Sequence, residues 1–315
     1  REGRYGEVLE ICGRAQAIRQ RCDADLDVNR AAYLRRMLYM LLGEALLARR
    51  SWDKAVEPLE QAVAAARIEE DQSALSRCLG SLGRAHYRRG RFESAGPLLS
   101  EALRLADTGA PERAPATRAL ADIRLRDGKL DRAEELWLEA LDIAINMCSI
   151  DGEARARRGL AHLRGMQNRL PEAIELLDQT EDLLNPNGDD RVLAGVFARA
   201  VELDIVAGRY GRALHRAEML LGLCRRREMP ERLPEAHALH AEILLAIGER
   251  VAARDALHQS MIFSRAQSGH SWLARIRAAR ALANLEVWDQ VEGALPTAED
   301  LPDTMIDDPP GQVAA

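Results

Sequence analysis

The sequence predicts an all-α protein, a right-handed α-α superhelix of about seven helix-turn-helix repeats. Three observations lead there. Ala, Leu, Arg and Glu dominate the 315 residues, and these side chains lose little rotamer freedom in a helix. Aromatic residues are scarce, with three Phe, five Tyr and four Trp, where a β-sandwich or barrel would use more aromatic and β-branched residues. One short turn pattern also returns at a nearly constant interval.

That pattern is Gly or a substitute, a basic or polar residue, an aromatic or aliphatic residue, and then Ala three positions on. It starts at Gly3-Arg4-Tyr5 and recurs as Arg50-Ser51-Trp52 with Ala55, Gly90-Arg91-Phe92 with Ala95, and Gly128-Lys129-Leu130 with Ala133. It continues as Asn168-Arg169-Leu170 with Ala173, Gly208-Arg209-Tyr210 with Ala213, and Gly248-Glu249-Arg250 with Ala253. The turn positions 3, 50, 90, 128, 168, 208 and 248 lie 47, 40, 38, 40, 40 and 40 residues apart. Gly or Asn ends a helix because it tolerates the left-handed conformation. The Ala keeps the two helices of a repeat close. A second small or modest residue precedes each turn by seven positions, at Gly43, Gly83, Ala121, Ala161, Val201 and Ala241, and marks the close approach on the first helix.

First helices are expected near 30–49, 73–89, 113–127, 152–167, 190–207, 231–247 and 270–286. Second helices are expected near 4–22, 52–68, 92–106, 130–147, 170–184, 210–227 and 250–267. The segment 23–29 interrupts the pattern and accounts for the longer first interval. The array spans residues 1–290. Residues 291–315 form an acidic, Pro-containing tail, expected to be flexible, with Pro296, Pro302, Pro309 and Pro310.

These residues resemble the tetratricopeptide repeat, whose motif has a small residue at its eighth position, Ala at its twentieth and often Ala at its twenty-seventh. The eighth and twentieth positions are the two small-residue series above. The twenty-seventh is Ala62, Ala102 and Ala140, then departs at Thr180, Leu220 and Ser260. The usual repeat is shorter, about 34 residues. The extra residues here fall between repeats, as at Asp107 to Pro111 and Asn185 to Asp190. The longer period resembles the arrays of bacterial signalling and regulatory proteins and of kinesin light chain.

Sequence motifs for chemistry are missing. Gly128-Lys129 is a repeat turn with Leu130 where a phosphate loop needs Ser or Thr. His237 and His240 stand one helical turn apart, but zinc sites normally use three or four protein ligands, so no metal and no cofactor is expected. Acidic pairs such as Glu134-Glu135 do not share a helix face and read as solvated charges. Neither an enzyme nor catalytic residues are expected. Cys12, Cys22, Cys78, Cys148 and Cys224 are odd in number and widely spaced, which reads as reduced core thiols in a cytoplasmic protein. The chain begins at Arg1 with no signal-peptide pattern and reads as a piece of a longer protein.

The resemblance implies a binding face. Stacked first helices would line a concave groove, and positions two, five, nine, twelve and thirteen would face it. Those positions hold Met37, Met40, Glu44 and Leu47, then Arg77, Gly80, Arg84, Tyr87 and Arg88, then Arg118, Asp122 and Arg126. They continue with Arg155, Arg158 and His162, and then with Glu202, Glu235 and Glu242. The expected groove is thus apolar at one end, basic in the middle and acidic at the other. Arginine suits an anionic partner because its planar fork donates two parallel hydrogen bonds. The set lacks the Lys and Asn positions of the chaperone-binding clamp.

The function read from this is a scaffold that binds a peptide or partner segment, an acidic one at the basic middle of the groove, within a larger bacterial regulatory protein. The alternative is a ligand- or signal-peptide-sensing module that controls a linked ATPase, kinase or DNA-binding domain. Nucleic acid and membrane partners are not expected. No Lys or Arg follows Arg280, whereas eight acids do, so residues 1–280 carry 44 basic and 42 acidic groups, a net of +2. A near-neutral body without an extended basic stripe is a poor match to a phosphate backbone.

Overall fold

The structure, a computed structural model, describes residues 13, 27–185 and 188–265. The expected turn at Gly3, the helices at 4–22 and 270–286 and the tail 291–315 lie outside them.

Six helical pairs follow one another, with no strand among the described residues. The first helices are α1 (Val28–Ala48), α3 (Gln72–Arg88), α5 (Arg113–Arg126), α7 (Ile150–Met166), α9 (Asp190–Val206) and α11 (Leu233–Ala246). The second helices are α2 (Trp52–Glu69), α4 (Phe92–Leu105), α6 (Leu130–Asn146), α8 (Leu170–Leu184), α10 (Tyr210–Arg226) and α12 (Arg250–Arg265). Their ends fall within two residues of the expected ones. A short 3₁₀ turn, Pro230–Arg232, leads into α11.

The turn inside each pair is one structure repeated six times. Arg50, Gly90, Gly128, Asn168, Gly208 and Gly248 all have positive φ, between 59° and 89°. At Gly90 the N–H donates to the Tyr87 carbonyl at 3.0 Å and the Arg91 N–H donates to the His86 carbonyl at 3.0 Å. The same pair of bonds closes the other five turns, for example Gly208 to Ile205 and Arg209 to Asp204. This reciprocal pattern satisfies the last carbonyls of the first helix. Arg50 and Asn168 therefore hold a conformation that glycine takes at the other four turns, which explains why the period survives their substitution.

The small residues do what the motif requires. Ala55, Ala95, Ala133, Ala173, Ala213 and Ala253 all have zero exposure. A Cβ on Gly83 would lie 2.7 Å from Leu99 Cγ and 3.3 Å from the Leu99 backbone nitrogen, so the two helices meet closer than any side chain allows. A Cβ on Gly43 would meet only the end of the Leu59 side chain, at 2.4 Å. First helices also use side-chain caps. Asp71 accepts from the Ala74 N–H at 3.0 Å, Ser149 from the Gly152 N–H at 3.2 Å and Asp189 from the Arg191 N–H at 2.7 Å, each satisfying a donor the helix start leaves over.

The chain divides into two compact units, Arg1–Met147 and Cys148–Ala315, although the turn spacing runs through the division unchanged. The first unit holds α1–α6, and a core of Leu59, Val63, Cys78, Leu79, Leu82 and neighbouring alanines packs its first two pairs together. The second holds α7–α12. Its cores are centred on Ile174, Leu177 and Val196, and on Phe197, Leu220, Leu239 and Ile243. Each unit also buries an arginine. In the first, Arg36 is 6% exposed and its Nε donates to both carboxylate oxygens of Glu69, at 2.8 and 3.1 Å. In the second, Arg216 on α10 is 6% exposed and reaches Asp204 on α9 at 2.6 Å, Glu181 on α8 at 3.0 Å and Asp178 on α8. Burial works against the Arg216 charge, but the bonds to Asp178 and Asp204 outweigh it and raise its pKa.

Candidate partner-binding face

One position recurs on every described first helix with the same partial exposure. The residue after the close-approach site is Glu44, Arg84 and Asp122 in the first unit, and His162, Glu202 and Glu242 in the second. All six are polar and half-buried. Half-burial keeps a side chain in reach of its neighbours and of solvent together, which suits a face that contacts something else.

In the first unit this face is tied into itself. Arg84 Nη2 on α3 donates to Glu44 Oε1 on α1 at 2.5 Å, and the Ser81 hydroxyl donates to the same oxygen. Tyr87 Oη on α3 donates to Asp122 Oδ2 on α5 at 2.6 Å. The Tyr87 ring meets Phe92 edge-on, with centroids 5.8 Å apart. Arg88 lies 5.7 Å above the Tyr87 ring, and Arg126 lies 4.4 Å above Phe92. Arg84, Tyr87, Arg88, Asp122 and Arg126 therefore form two adjoining groups on neighbouring first helices. Arg118 is half-buried and Arg77 exposed on the same elements, while Gly80 is buried beneath them near the Cβ atoms of Ala116 and Ala102. The basic charge expected here is partly offset by Glu44 and Asp122.

In the second unit the arrangement is different. Arg155 and Arg158 are half-buried on α7. His162, one turn further, is pushed down to about 4 by burial and then by Arg199 and Arg158, so it is neutral at pH 7. Arg199 pairs with Glu202 along α9 at 2.5 Å. Arg158 crosses to Gly195 on α9, where a Cβ would sit 2.1 Å from its Nη1. Arg232 reaches the same glycine, with Nη2 at 3.6 Å from that point. Arg199 and Arg232 had no signal in the repeat frame, whereas Gly195 stands at one of its groove-facing positions. Arg199 is at position six, Gly195 at position two on a helix that otherwise offered Glu202, and Arg232 precedes its helix.

The tetratricopeptide repeat family matches this chain twice, over residues 33–108 and 112–185. The chain carries tetratricopeptide repeats. The solved structures of the same architecture include a Rap protein complexed with competence and sporulation factor, at 13% identity and a TM-score of 0.66, covering 89% of this chain and 77% of that one. Aspartyl phosphate phosphatase F from Bacillus subtilis has 11% identity and a TM-score of 0.65 over 90% of this chain and 75% of its own. The apo form of RapI has 12% identity and a TM-score of 0.63, over 82% and 94%. At these identities the likeness is one of fold. No curated protein sequence matches this chain.

Other candidates in the tetratricopeptide array resolve into packing. His237 is 5% exposed and stacks on Phe263, with centroids 5.6 Å apart and planes 10° apart. Burial, then Arg225 and His240, push it down to about 4. It fills an aromatic core position. No group of three or more His, Cys, Asp or Glu among the described residues is placed to hold a metal ion. Cys78 and Cys224 are buried, and burial pushes both thiols up to about 11. Cys148 corrects the core-thiol expectation, because it is exposed at an inter-repeat turn with φ of 49°. No described helix is long and apolar enough to cross a membrane. A cleft of about 490 Å³ opens between α4 and the end of α5, lined by Phe92, Gly96, Pro97 and Ile123 with Glu93, Arg124, Arg126 and Asp127 at its rim.

Proposed function

We infer that this chain is a protein-interaction scaffold that binds a peptide or partner segment on the first-helix face of its units. The observation that carries this reading is the half-buried polar side chain placed identically on all six described first helices. A packing role alone would select apolar residues there, and a solvating role alone would leave them exposed. Support comes from the Rap complex, a protein of the same fold that holds competence and sporulation factor. Arg77, Arg84, Arg88, Arg118, Arg126, Arg155 and Arg158, with Tyr87, Asp122, His162 and Glu202, are the contact residues we propose. Where a small-molecule sensor would enclose an apolar pocket, the cleft between α4 and α5 is open and rimmed with charge, which favours the scaffold.

Photo-crosslinking tests this. A benzophenone amino acid at position 88 or 155 should crosslink a partner in the native host, and one at the exposed position 135 on α6 should not. Equal crosslinking from both faces would sink the reading. The partner's affinity should also fall when Arg84, Arg118 and Arg158 are replaced by Glu.

A further inference from the structure

Among the six described second helices, α4 alone lacks a side chain at the position after the buried alanine. That position is Val56 in α2, Glu134 in α6, Ile174 in α8, Leu214 in α10 and Arg254 in α12, but Gly96 in α4. Three of these side chains, Val56, Ile174 and Leu214, are aliphatic and pack into a core. Ile174 shares its core with Leu203 from the last turn of α9, and the repeat equivalent of Leu203 is Ile123 on α5. Gly96 thus leaves open the room that Ile174 fills in its own repeat, and Gly96 and Ile123 both line the cleft of about 490 Å³ that results. The glycine meets no internal need. It sits inside α4, where glycine weakens a helix relative to alanine, and a Cβ there would meet nothing within 4 Å. Gly83, by contrast, is required by the approach of Leu99.

We propose that this cleft is an anchor site, which takes a leucine, isoleucine or valine side chain of the partner segment. It rests on the scaffold reading above and adds an apolar contact to the charged ones named there. The other repeats show what fits, since Val56, Ile174 and Leu214 stand at the equivalent position. The walls are apolar: the half-buried Phe92 ring, the exposed Pro97 ring and the Ile123 side chain. The rim carries two charges of each sign, Glu93 and Asp127 with Arg124 and Arg126, so it offers no net charge to hold an ion. Arg124 is turned to Asp127, at 3.3 Å, and Arg126 to the Phe92 ring, at 4.4 Å. An uncharged side chain is the complement of such a rim, because it gives up no hydration of its own on entering. Arg126 also places the site, since it belongs both to the cleft and to the first helix α5. A segment lying on the first-helix face can turn one side chain over that edge into the cleft.

The test follows the Ile123 δ-methyl resonance of the full chain by NMR, assigned through Ile123→Val. N-acetyl-leucine amide should shift it several-fold further than the matching lysine, glutamate or phenylalanine amide at equal concentration. Gly96→Leu gives α4 the side chain its counterparts have, and should reduce the leucine response to the level of the lysine one. The same variant should keep or raise the urea midpoint, because a better helix former enters open space. A partner crosslinked from position 88 should bind Gly96→Leu about ten-fold more weakly, the equivalent of about 1.4 kcal/mol and within what one buried aliphatic side chain contributes. Equal responses to all four amides, or a leucine response that survives Gly96→Leu, would overturn the anchor site. So would a lowered urea midpoint, because the room beside Gly96 would then be filled from within. A larger response to the phenylalanine amide would overturn the aliphatic assignment. A crosslinked partner whose affinity Gly96→Leu leaves unchanged sinks the anchor site and spares the scaffold reading. A leucine-specific response with no crosslinked partner spares the site and sinks the scaffold reading.

Discussion

The two units are made of the same repeat but place their charged groups differently. In the first, the two acids of the first-helix face are bonded by the neighbouring first helix: Glu44 accepts from Arg84, and Asp122 accepts from Tyr87. In the second, three acids gather around one buried arginine. Asp204 has zero exposure and, with Asp178 and Glu181, surrounds Arg216 between α8, α9 and α10, while Arg158 and Arg232 gather on the face at Gly195. A shared repeat therefore fixes the backbone and leaves the polar design of each unit free. It also separates stability from recognition. Replacing the face of the first unit removes pairs near solvent, whereas replacing the network of the second strands a buried charge.

The largest expected difference tests that claim. Arg216→Leu removes the guanidinium that bonds Asp204 Oδ2 and leaves a fully buried carboxylate, whose Oδ1 already lacks a hydrogen-bond partner. A loss of about 3–5 kcal/mol follows from breaking one side of such a pair. Hydrogen exchange read by mass spectrometry should show protection falling in α8–α10 first. An unchanged protection pattern would remove the distinction between the units.

The second unit should also be the more acid-sensitive. His162 and His237 ordinarily titrate near 6.5 but are held to about 4 in the fold, by burial above all. Between those values the unfolded chain binds protons that the folded one refuses, so stability rises with pH across this window and is complete above about 6.5. Acidification from pH 7 to 5 should therefore cost on the order of 1–3 kcal/mol, which a urea midpoint followed by circular dichroism would record. His237→Phe keeps the stack on Phe263 and should flatten part of that slope. A slope equal to wild type would show that His237 is not the group responsible.

The sequence disclosed the backbone almost completely, and the reason is physical. A helix end needs a left-handed residue and a helix crossing needs a small one, so both leave marks at fixed offsets, as at Gly90 and Gly83. The face was legible at Glu44, Arg84, Asp122 and His162 because the same offset selects them. Arg216 and Arg232 were not legible. Their roles depend on which side chains reach across from neighbouring repeats, and no period encodes that reach. Gly83→Ala is the matching test in the first unit. Overpacking against the Leu99 backbone should cost about 1–3 kcal/mol, and Gly43→Ala should cost less, because the end of Leu59 can rotate away. Paired urea midpoints decide the order.

The smallest expected effect separates the two faces most cleanly. Arg84 and Glu44 are partly solvent-exposed, at 27% and 43%, so their pair contributes about 0.2–1 kcal/mol to stability. Glu44→Gln should barely move the urea midpoint. It should matter for binding, because it removes the carboxylate that occupies Arg84. Titrated with acetyl-Asp-Asp-amide, the Arg84 Nε resonance should shift little in the wild-type chain and several-fold more in Glu44→Gln. If Arg84 responds fully in the wild-type chain, Glu44 does not mask it, and the first unit's face is not closed by its own pairs.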